Sequence, residues 1–256
     1  MPRYQLIIEY DGTDFVGWQR QSNGLAVQEV LETAGAALTS GGGVAAVAAG
    51  RTDTGVHAKA MGAHIDLEKD LSADAVRDGL NFHMRPHPVS VLQAREVVSE
   101  FHARFSCVGR VYEYRIANQR APLALMRARA WRVAQPLDID AMHEAAQEFV
   151  GRHDFTTFRA SACQAASPVK SLDRFSVTRE QMSNDAGDMI ILQCAAISFL
   201  HNQVRSMVGS LVDVGRGKWD RSDVASAIAA KDRSRCGPVA PAEGLYFVRA
   251  VYPNAT

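Results

Sequence analysis

A single carboxylate, Asp53, lies between two glycines in the segment Gly50–Ala58, and Arg51 stands two residues before it. A guanidinium close to a carboxylate favours its ionised form. This carboxylate therefore suits the role of a nucleophile or an electrostatic stabiliser, and not that of a resting general acid. An apolar run at residues 44–49 predicts a buried strand that leads into the segment. The alternative interpretation is a plain turn, because aspartate beside glycine is common in turns.

The charge of the chain is balanced overall but uneven along its length. There are 28 basic and 28 acidic side chains, so the net charge does not indicate a nucleic-acid-binding protein. Between Arg104 and Arg132, however, seven arginines accompany a single acidic residue, Glu113. Such a segment is either a solvated strand-and-loop face or a surface that contacts phosphates, where binding depends on salt.

Composition and spacing exclude several classes of protein. With 256 residues, 47% of them hydrophobic, the chain can bury a core, and no apolar run approaches the roughly 20 residues of a membrane span. The first residues enter a strand pattern without the apolar stretch of a signal peptide, so we expect a cytoplasmic protein. The four cysteines form no C-x-x-C pair and the eight histidines no H-E-x-x-H pattern, so no metal site is predicted.

Hydrophobic periodicity predicts the same order of elements in both halves of the chain. The first half reads as strand, helix, strand, strand, helix and strand: residues 4–10, 26–38, 44–48, 60–67, a short helix capped by Ser72, and 89–98. The second half has the same order with one extra helix: residues 107–117, 140–150 with Gly151 as its cap, 172–178, 189–199, 201–214, 222–230 and 245–252. Each half matches the split β-α-β pattern of ferredoxin-like folds.

This repeat predicts an α+β fold. We expect two ferredoxin-like β-α-β-β-α-β halves that share a central, mostly antiparallel sheet, with a cleft between them. The N-terminal subdomain is expected at residues 1–105 and carries Asp53, and the C-terminal subdomain at residues 106–256 carries Tyr112. A shared sheet is favoured over separate domains because no Gly/Pro-rich linker joins the halves.

Several blocks, in order along nearly the whole chain, resemble the motifs of the tRNA pseudouridine synthase A family. The blocks are Tyr10–Gln21, Gly50–Ala58, Phe101–Ser106, Arg110–Tyr114, His153–Ala160 with Cys163 and Gln164, Phe199–Gly209, Ala229–Arg233 and Glu243–Tyr246. The resemblance implies a pseudouridine synthase fold and an isomerase that uses neither a cofactor nor a metal. Its implied partner is tRNA, in which uridines at positions 38–40 of the anticodon stem-loop become pseudouridine. It also implies a homodimer and no membrane association.

The same resemblance implies roles for individual residues. Asp53 matches the catalytic carboxylate, and Tyr112 matches the tyrosine that contacts the target base. Extruding this base from the stack costs a few kcal/mol. Three further residues match supporting positions of the active site: Arg51, Arg205 and Leu245. RNA contacts are implied at six more: Lys59, Phe101, His102, Arg104, Arg110 and Gln164.

Other interpretations of these residues stay open at this level. Taken alone, Tyr112 and Leu245 suit core packing, Arg51 an exposed loop cation and Arg205 a structural salt bridge. We interpret His57 and His102 as histidines that hydrogen-bond the backbone or phosphate rather than as general bases. The sequence does not decide whether Asp53 acts at C1′, at C6 or through a glycal route. A non-catalytic RNA-binding protein on the same scaffold is the second hypothesis, because a fold does not imply a function.

Overall fold

The computed structural model describes residues 1–39, 42–182 and 187–253. The chain forms two compact units. The first unit consists of Met1–Arg110 and the C-terminal segment from Tyr246, and the second unit of Val111–Leu245. The division predicted between residues 105 and 106 lies a few residues before this junction and keeps the last strand with the second half. In the structure, that strand from Tyr246 onward groups with the first unit.

The N-terminal half follows the predicted order of elements. These elements are β1 (Arg3–Tyr10), α1 (Val27–Leu38), β2 (Ala46–Ala48), β3 (His57–Asp66), α2 (Ala73–His83) and β4 (Val89–Val97). Helix α1 forms because its apolar residues recur at helical spacing, and it buries Val27, Leu31 and Ala34 on one face. Ser72 caps α2 as predicted, since its hydroxyl accepts a hydrogen bond from the Ala75 amide at 3.2 Å.

The second unit contains short elements that hydrophobic periodicity did not predict. Its elements are β5 (Gly109–Asn118), β6 (Trp131–Val133), α3 (Ile139–Ala146), β7 (Gly151–Asp154), β8 (Val169–Gln181), β9 (Asp188–Ala196), α4 (Gln203–Gly215) and α5 (Arg221–Ala230). Strands β6 and β7 were missed because three or four residues are too few to show alternation. The predicted cap at Gly151 was wrong, because the helix tightens into a 3₁₀ turn at Gln147–Phe149 and Gly151 then opens β7.

Strand β10 (Leu245–Val251) ends the regular structure. In the first unit the strand order is β4-β1-β3, and β2 and β10 share the remaining edge of β3. Strand β2 pairs with the end of β3 in antiparallel fashion, Ala46 opposite Ile65. Strand β10 pairs with the start of β3 in parallel, Tyr246 opposite His57. The order β4-β1-β3-β2 is the ferredoxin-like arrangement predicted for this half.

The second unit has the strand order β5-β9-β8-β7, with β6 added in parallel to β5. Its core is a cluster of phenylalanines, and the ring centroids of Phe149 and Phe158 lie 4.9 Å apart. Two members of the cluster, Phe155 and Phe158, come from the sequence block at residues 153–160, which is therefore partly a core segment. Because most strand pairs within both units are antiparallel and helices are interspersed, the predicted α+β class is confirmed.

Membrane-crossing helices are absent from the described residues, since none of their helices is both long and apolar enough.

Candidate active site

Asp53 lies on a loop at residues 49–56, between β2 and β3, which we call the Asp53 loop. The motif at residues 10–21 holds this loop on both sides of the carboxylate. Three hydrogen bonds run from Trp18 N to Thr52 O at 3.0 Å, from Gly55 N to Phe15 O at 3.3 Å and from Thr54 Oγ1 to Val16 O at 3.0 Å. The two blocks that are separate in sequence therefore form one structural feature.

Two glycines allow the motif to approach the loop this closely. A Cβ atom on Gly17, which has a φ of 112°, would lie 2.5 Å from the Thr52 carbonyl oxygen. A Cβ atom on Gly12 would overlap the carbonyl oxygen of Val56. The motif and the loop are also joined by a buried hydrogen bond of 2.8 Å between the hydroxyls of Tyr10 and Thr52. The backbone around Asp53 is thus set by close packing as well as by hydrogen bonds.

The Asp53 side chain is half-buried, whereas Arg51 is exposed. Within the described parts of the chain, the Arg51 guanidinium forms no ion pair, so the pairing with Asp53 that the sequence predicts is not made by the protein alone. Arg51 is consequently accessible to solvent, two residues before Asp53.

His57 is a structural histidine, as the sequence predicted. Its side chain is buried, and its Nδ1 atom lies 3.0 Å from the Gly12 amide and 3.1 Å from an Asp11 oxygen. Its ring stacks on Tyr246 with centroids 4.7 Å apart. The Lys59 ammonium lies 5.7 Å from the centroid of the same tyrosine ring. These contacts connect β10 to the end of the Asp53 loop.

A salt bridge holds the segment at residues 99–106 against the first unit. Arg3 donates to both carboxylate oxygens of Asp66, at 2.7 and 2.8 Å. Its guanidinium also donates to the carbonyls of Ser99 and Phe101. The hydrogen bond from Arg3 lowers the pKa of Asp66, so the pair stays charged at neutral pH.

His102 also bonds to the backbone, as predicted. Its Nδ1 atom accepts hydrogen bonds from the amides of Arg104 and Phe105, both at 3.2 Å, and its ring stacks on that of Phe105. The neighbouring His64 is buried, and burial followed by the charge of Arg3 lowers its pKa to about 4. Arg104 and Phe105 themselves are exposed.

Arg110 was predicted to contact RNA, but its guanidinium is engaged with the protein backbone. Its Nε and Nη2 atoms donate to the carbonyl of Ala49 at 2.9 and 2.6 Å. The Nη2 atom also donates to the carbonyl of Arg104 at 3.0 Å. Nothing in the sequence signals these contacts, because the acceptors are backbone atoms.

The two tyrosines of β5 differ in their surroundings. Tyr114 is a core residue, fully buried, and its hydroxyl donates to the carbonyl of Pro241 at 2.7 Å. Burial raises the pKa of Tyr114 above its ordinary value. Tyr112 is 8% exposed and its ring meets that of Phe199 edge-on, with centroids 5.1 Å apart. This edge-on contact fixes the ring plane of Tyr112.

Arg205 lies in the first turns of α4, and its orientation is set from two sides. Its Nε atom donates to the carbonyl of Ala240 at 2.7 Å and its Nη1 atom to the side chain of Asn202 at 3.0 Å. The Ala240 amide in turn donates to the carbonyl of Arg205 at 3.1 Å. Asn202 occupies the left-handed region with a φ of 60°, which places its side chain next to the helix start.

A polar network that the sequence did not reveal secures α4. The hydroxyl of Thr157 donates to the carbonyl of Ala227 at 2.7 Å and accepts from the amide of Asp232 at 3.0 Å. Arg233 donates to the carbonyl of Thr157 at 3.0 Å and contacts the hydroxyl of Ser206 at 3.3 Å. The blocks at residues 153–160 and 229–233 therefore support the helix that carries Arg205.

Leu245 and Gln164, the two remaining predicted site residues, differ in their exposure to solvent. Leu245 is 6% exposed at the start of β10, and Gln164 is exposed. The first unit thus carries Asp53, Arg51 and five of the other predicted positions: Lys59, Phe101, His102, Arg104 and Arg110. The second unit carries Tyr112, Gln164, Arg205 and Leu245.

Among the described residues, no group of three or more His, Cys, Asp or Glu side chains is arranged to hold a metal ion.

The chemistry available to the Asp53 loop follows from its build. A half-buried carboxylate on a rigid backbone can attack or stabilise an electron-poor sugar carbon without first reorganising. Arg51, two residues before Asp53, is an exposed cation of the kind that suits a phosphate group, and Arg104 in the segment at residues 99–106 is another.

Comparison with known proteins gives a consistent result. A family model described as tRNA pseudouridine synthase matches residues 145–253. The tRNA pseudouridine synthase A of Afipia carboxidovorans is 60% identical over 252 residues, which cover 98% of this chain and 100% of that protein. The corresponding protein of Maricaulis maris is 57% identical over 254 residues, covering 99% of each chain. That of Parvibaculum lavamentivorans is 56% identical over 252 residues, covering 98% of this chain and 100% of that protein.

The likeness extends over nearly the whole chain, so it includes the Asp53 loop as well as the segments that support α4. With the α+β fold and the motif contacts described above, it shows that the chain belongs to the tRNA pseudouridine synthase A family.

Proposed function

We propose that this protein converts uridine to pseudouridine in the anticodon stem-loop of tRNA, at positions 38–40, with Asp53 as the essential carboxylate. The observation that carries the proposal is the Asp53 loop, in which the motif at residues 10–21 fixes the backbone on both sides of a half-buried aspartate. A turn former would not need this support. The same support is what a catalytic group requires to keep its position.

The reaction is an isomerisation that needs no external reactant. The bond between ribose C1′ and uracil N1 breaks, the base turns, and a bond forms between C1′ and C5. The C5 proton is lost and N1 gains a proton, so atoms and electrons balance. Breaking the glycosidic bond leaves the sugar electron-poor, as in glycoside hydrolysis. Asp53 then acts at C1′, at C6 or in removal of the 2′-proton, and each of these roles requires the ionised carboxylate.

Tyr112 is proposed to stack on the uracil and to relay the C5 proton. Stacking on an aromatic ring is worth about 1–3 kcal/mol per base, which offsets much of the few kcal/mol that extrusion costs. The edge-on contact with Phe199 holds the ring ready for this role. Arg51 is proposed to take part in displacing the nucleotide, since it is exposed beside Asp53. Arg205 and Leu245 are proposed to support the base and the carboxylate.

The RNA-contacting surface is proposed to include Lys59, Phe101, His102, Arg104 and Gln164. We also propose that the protein works in the cytoplasm, where its substrate is found.

The protein is further proposed to act as a homodimer. Sedimentation equilibrium is then expected to give twice the 27.8 kDa mass of the chain, and a single-chain mass at micromolar concentration would contradict the dimer.

Site-resolved mapping on defined transcripts tests the proposed specificity. Purified protein is incubated with a tRNA transcript that carries uridines at positions 38–40 and with a matched transcript that carries cytidines there. We expect pseudouridine at these positions in the first transcript and none anywhere in the second. Binding without modification of either transcript would instead support the non-catalytic RNA-binding hypothesis.

A further inference from the structure

We propose that Arg110 is a positioning residue, which holds the Asp53 loop in place through the carbonyl of Ala49 rather than contacting RNA. This inference rests on the proposed function of Asp53. It assigns Arg110 an effect on the rate of the chemical step, whereas an RNA contact would affect affinity.

The first contact of Arg110 is with Ala49, at the start of the Asp53 loop. Two donors of one guanidinium, Nε and Nη2, reach the Ala49 carbonyl oxygen at 2.9 and 2.6 Å. Ala49 is 1% exposed, and its amide donates to the carbonyl of Gly62 on β3 at 2.7 Å. Both backbone groups of Ala49 are therefore bonded, and the residue is an anchor four positions before Asp53.

The second contact connects this anchor to another rigid segment. The Nη2 atom of Arg110 also donates to the carbonyl of Arg104 at 3.0 Å. That segment is itself held by Arg3, which donates to the carbonyl of Phe101 at 2.7 Å, and by Tyr252, which donates to the carbonyl of Ala103 at 2.8 Å. Arg110 thus joins the start of the Asp53 loop to a part of the first unit that is fastened independently.

The buried carbonyl needs this donor. A buried carbonyl oxygen that loses its partner pays the desolvation cost of an unmade hydrogen bond. Hydrogen bonds from a charged donor are shorter and stronger than neutral ones. Without the guanidinium, Ala49 is expected to shift towards water or another donor, and the backbone that leads to Asp53 shifts with it. A displacement of about 1 Å at a reacting group costs roughly 10²-fold in rate.

The two roles of Arg110 predict different results for Arg110→Ala. As a positioning residue, its loss lowers the single-turnover rate at saturating tRNA by about 10–100-fold. The dissociation constant for tRNA and its salt dependence stay within about twofold of wild type. As a phosphate contact, its loss would weaken binding and reduce the salt slope by about 1 while leaving the saturated rate intact.

Three variants make the comparison specific. Arg110→Lys keeps the charge and one donor, so we expect it to recover part of the rate. Arg104→Ala removes an exposed cation of the same segment and is the positive control for a change in salt slope. Arg77→Ala removes a cation on α2 that pairs with Asp74 and Asp78, far along the chain from the loop, and is the control for loss of charge alone.

Hydrogen–deuterium exchange gives a readout that does not depend on activity. In Arg110→Ala, amides of the peptide that contains residues 49–56 should exchange several-fold faster than in wild type. Arg104→Ala and Arg77→Ala should leave this peptide unchanged. If Arg110→Ala does not fold, Arg110→Lys still tests the inference, with a smaller increase in exchange. Wild-type exchange in the loop together with a weaker, less salt-dependent affinity for tRNA would overturn the positioning role. Absence of pseudouridine with the wild-type protein would overturn the proposed function instead.

Discussion

Replacing Asp53 by asparagine should abolish pseudouridine formation, with a loss of at least about 10⁴-fold in kcat, as is typical when the group that acts on the reacting atoms is removed. The amide has nearly the same shape as the carboxylate but carries no negative charge. Because the Asp53 side chain is half-buried and the loop is held by backbone bonds, folding should be retained. The measurement is the initial rate on a tRNA transcript, together with the affinity for the same RNA and the thermal unfolding midpoint.

Asp14→Asn is the matched control for this substitution. Asp14 belongs to the neighbouring motif at residues 10–21 and is exposed, so the same chemical change should leave rate, affinity and stability close to wild type. If Asp53→Asn kept substantial activity, or lost activity only because it unfolds, the role assigned to the carboxylate would be wrong.

Gly12→Ala should have the second-largest effect, on both stability and rate. The added methyl group would overlap the carbonyl oxygen of Val56, which is backbone and cannot rotate away. The N-terminal motif and the Asp53 loop must then separate, and we expect a loss of about 2–4 kcal/mol in the free energy of unfolding. The folded fraction should also react about 10²-fold more slowly, because Asp53 is displaced.

Two other glycines serve as controls for this prediction, because smaller effects are expected at them. A methyl group at Gly24 would meet only a methyl of the Val16 side chain, which is able to move, so Gly24→Ala should cost less. A methyl group at Gly43 would have no neighbour within 4 Å, so Gly43→Ala should be nearly neutral. Chemical denaturation and single-turnover rates of the three variants provide the measurement. Equal stability of Gly12→Ala and Gly43→Ala would contradict the close packing of the loop.

Local patterns in the sequence predicted much of the first unit. The apolar face of α1, the Ser72 cap and the order of the first six elements are all encoded by neighbouring residues. His57 and His102 bond to the backbone as expected, since a loop histidine has amides within reach. The resemblance of the ordered motifs to a known family agreed with the full-length comparisons.

Contacts between distant parts of the chain were not predictable in the same way. Strand β10 pairs with β3 at Tyr246 and His57, and no local pattern indicates which sheet edge a last strand will join. The predicted ion pair between Arg51 and Asp53 assumed that closeness in sequence means contact, whereas Arg51 is exposed and forms no ion pair within the described residues. Arg110 binds backbone carbonyls, which every residue possesses, so its acceptors carry no sequence signal.

The candidate site depends both on local sequence patterns and on contacts between distant parts of the chain. The glycines at positions 12 and 17 are visible in the sequence, but the carbonyls that they approach are known only from the fold. In the second unit, Thr157, Ser206 and Arg233 come from three separate blocks and meet only once α4 and α5 have packed. Sequence thus indicates candidate site residues, but not the contacts that hold them in place.

Nucleoside analysis of tRNA treated with purified protein tests the central claim most directly. Wild-type protein and Asp53→Asn are each incubated, in excess over tRNA and without added cofactor, and the RNA is then digested and its nucleosides and any free uracil are quantified. We predict that wild-type protein converts uridine to an equal amount of pseudouridine without releasing uracil, and that Asp53→Asn forms none. Uridine that stays unchanged with the wild-type protein, uracil that accumulates, or equal pseudouridine from both proteins would contradict a carboxylate-driven isomerisation.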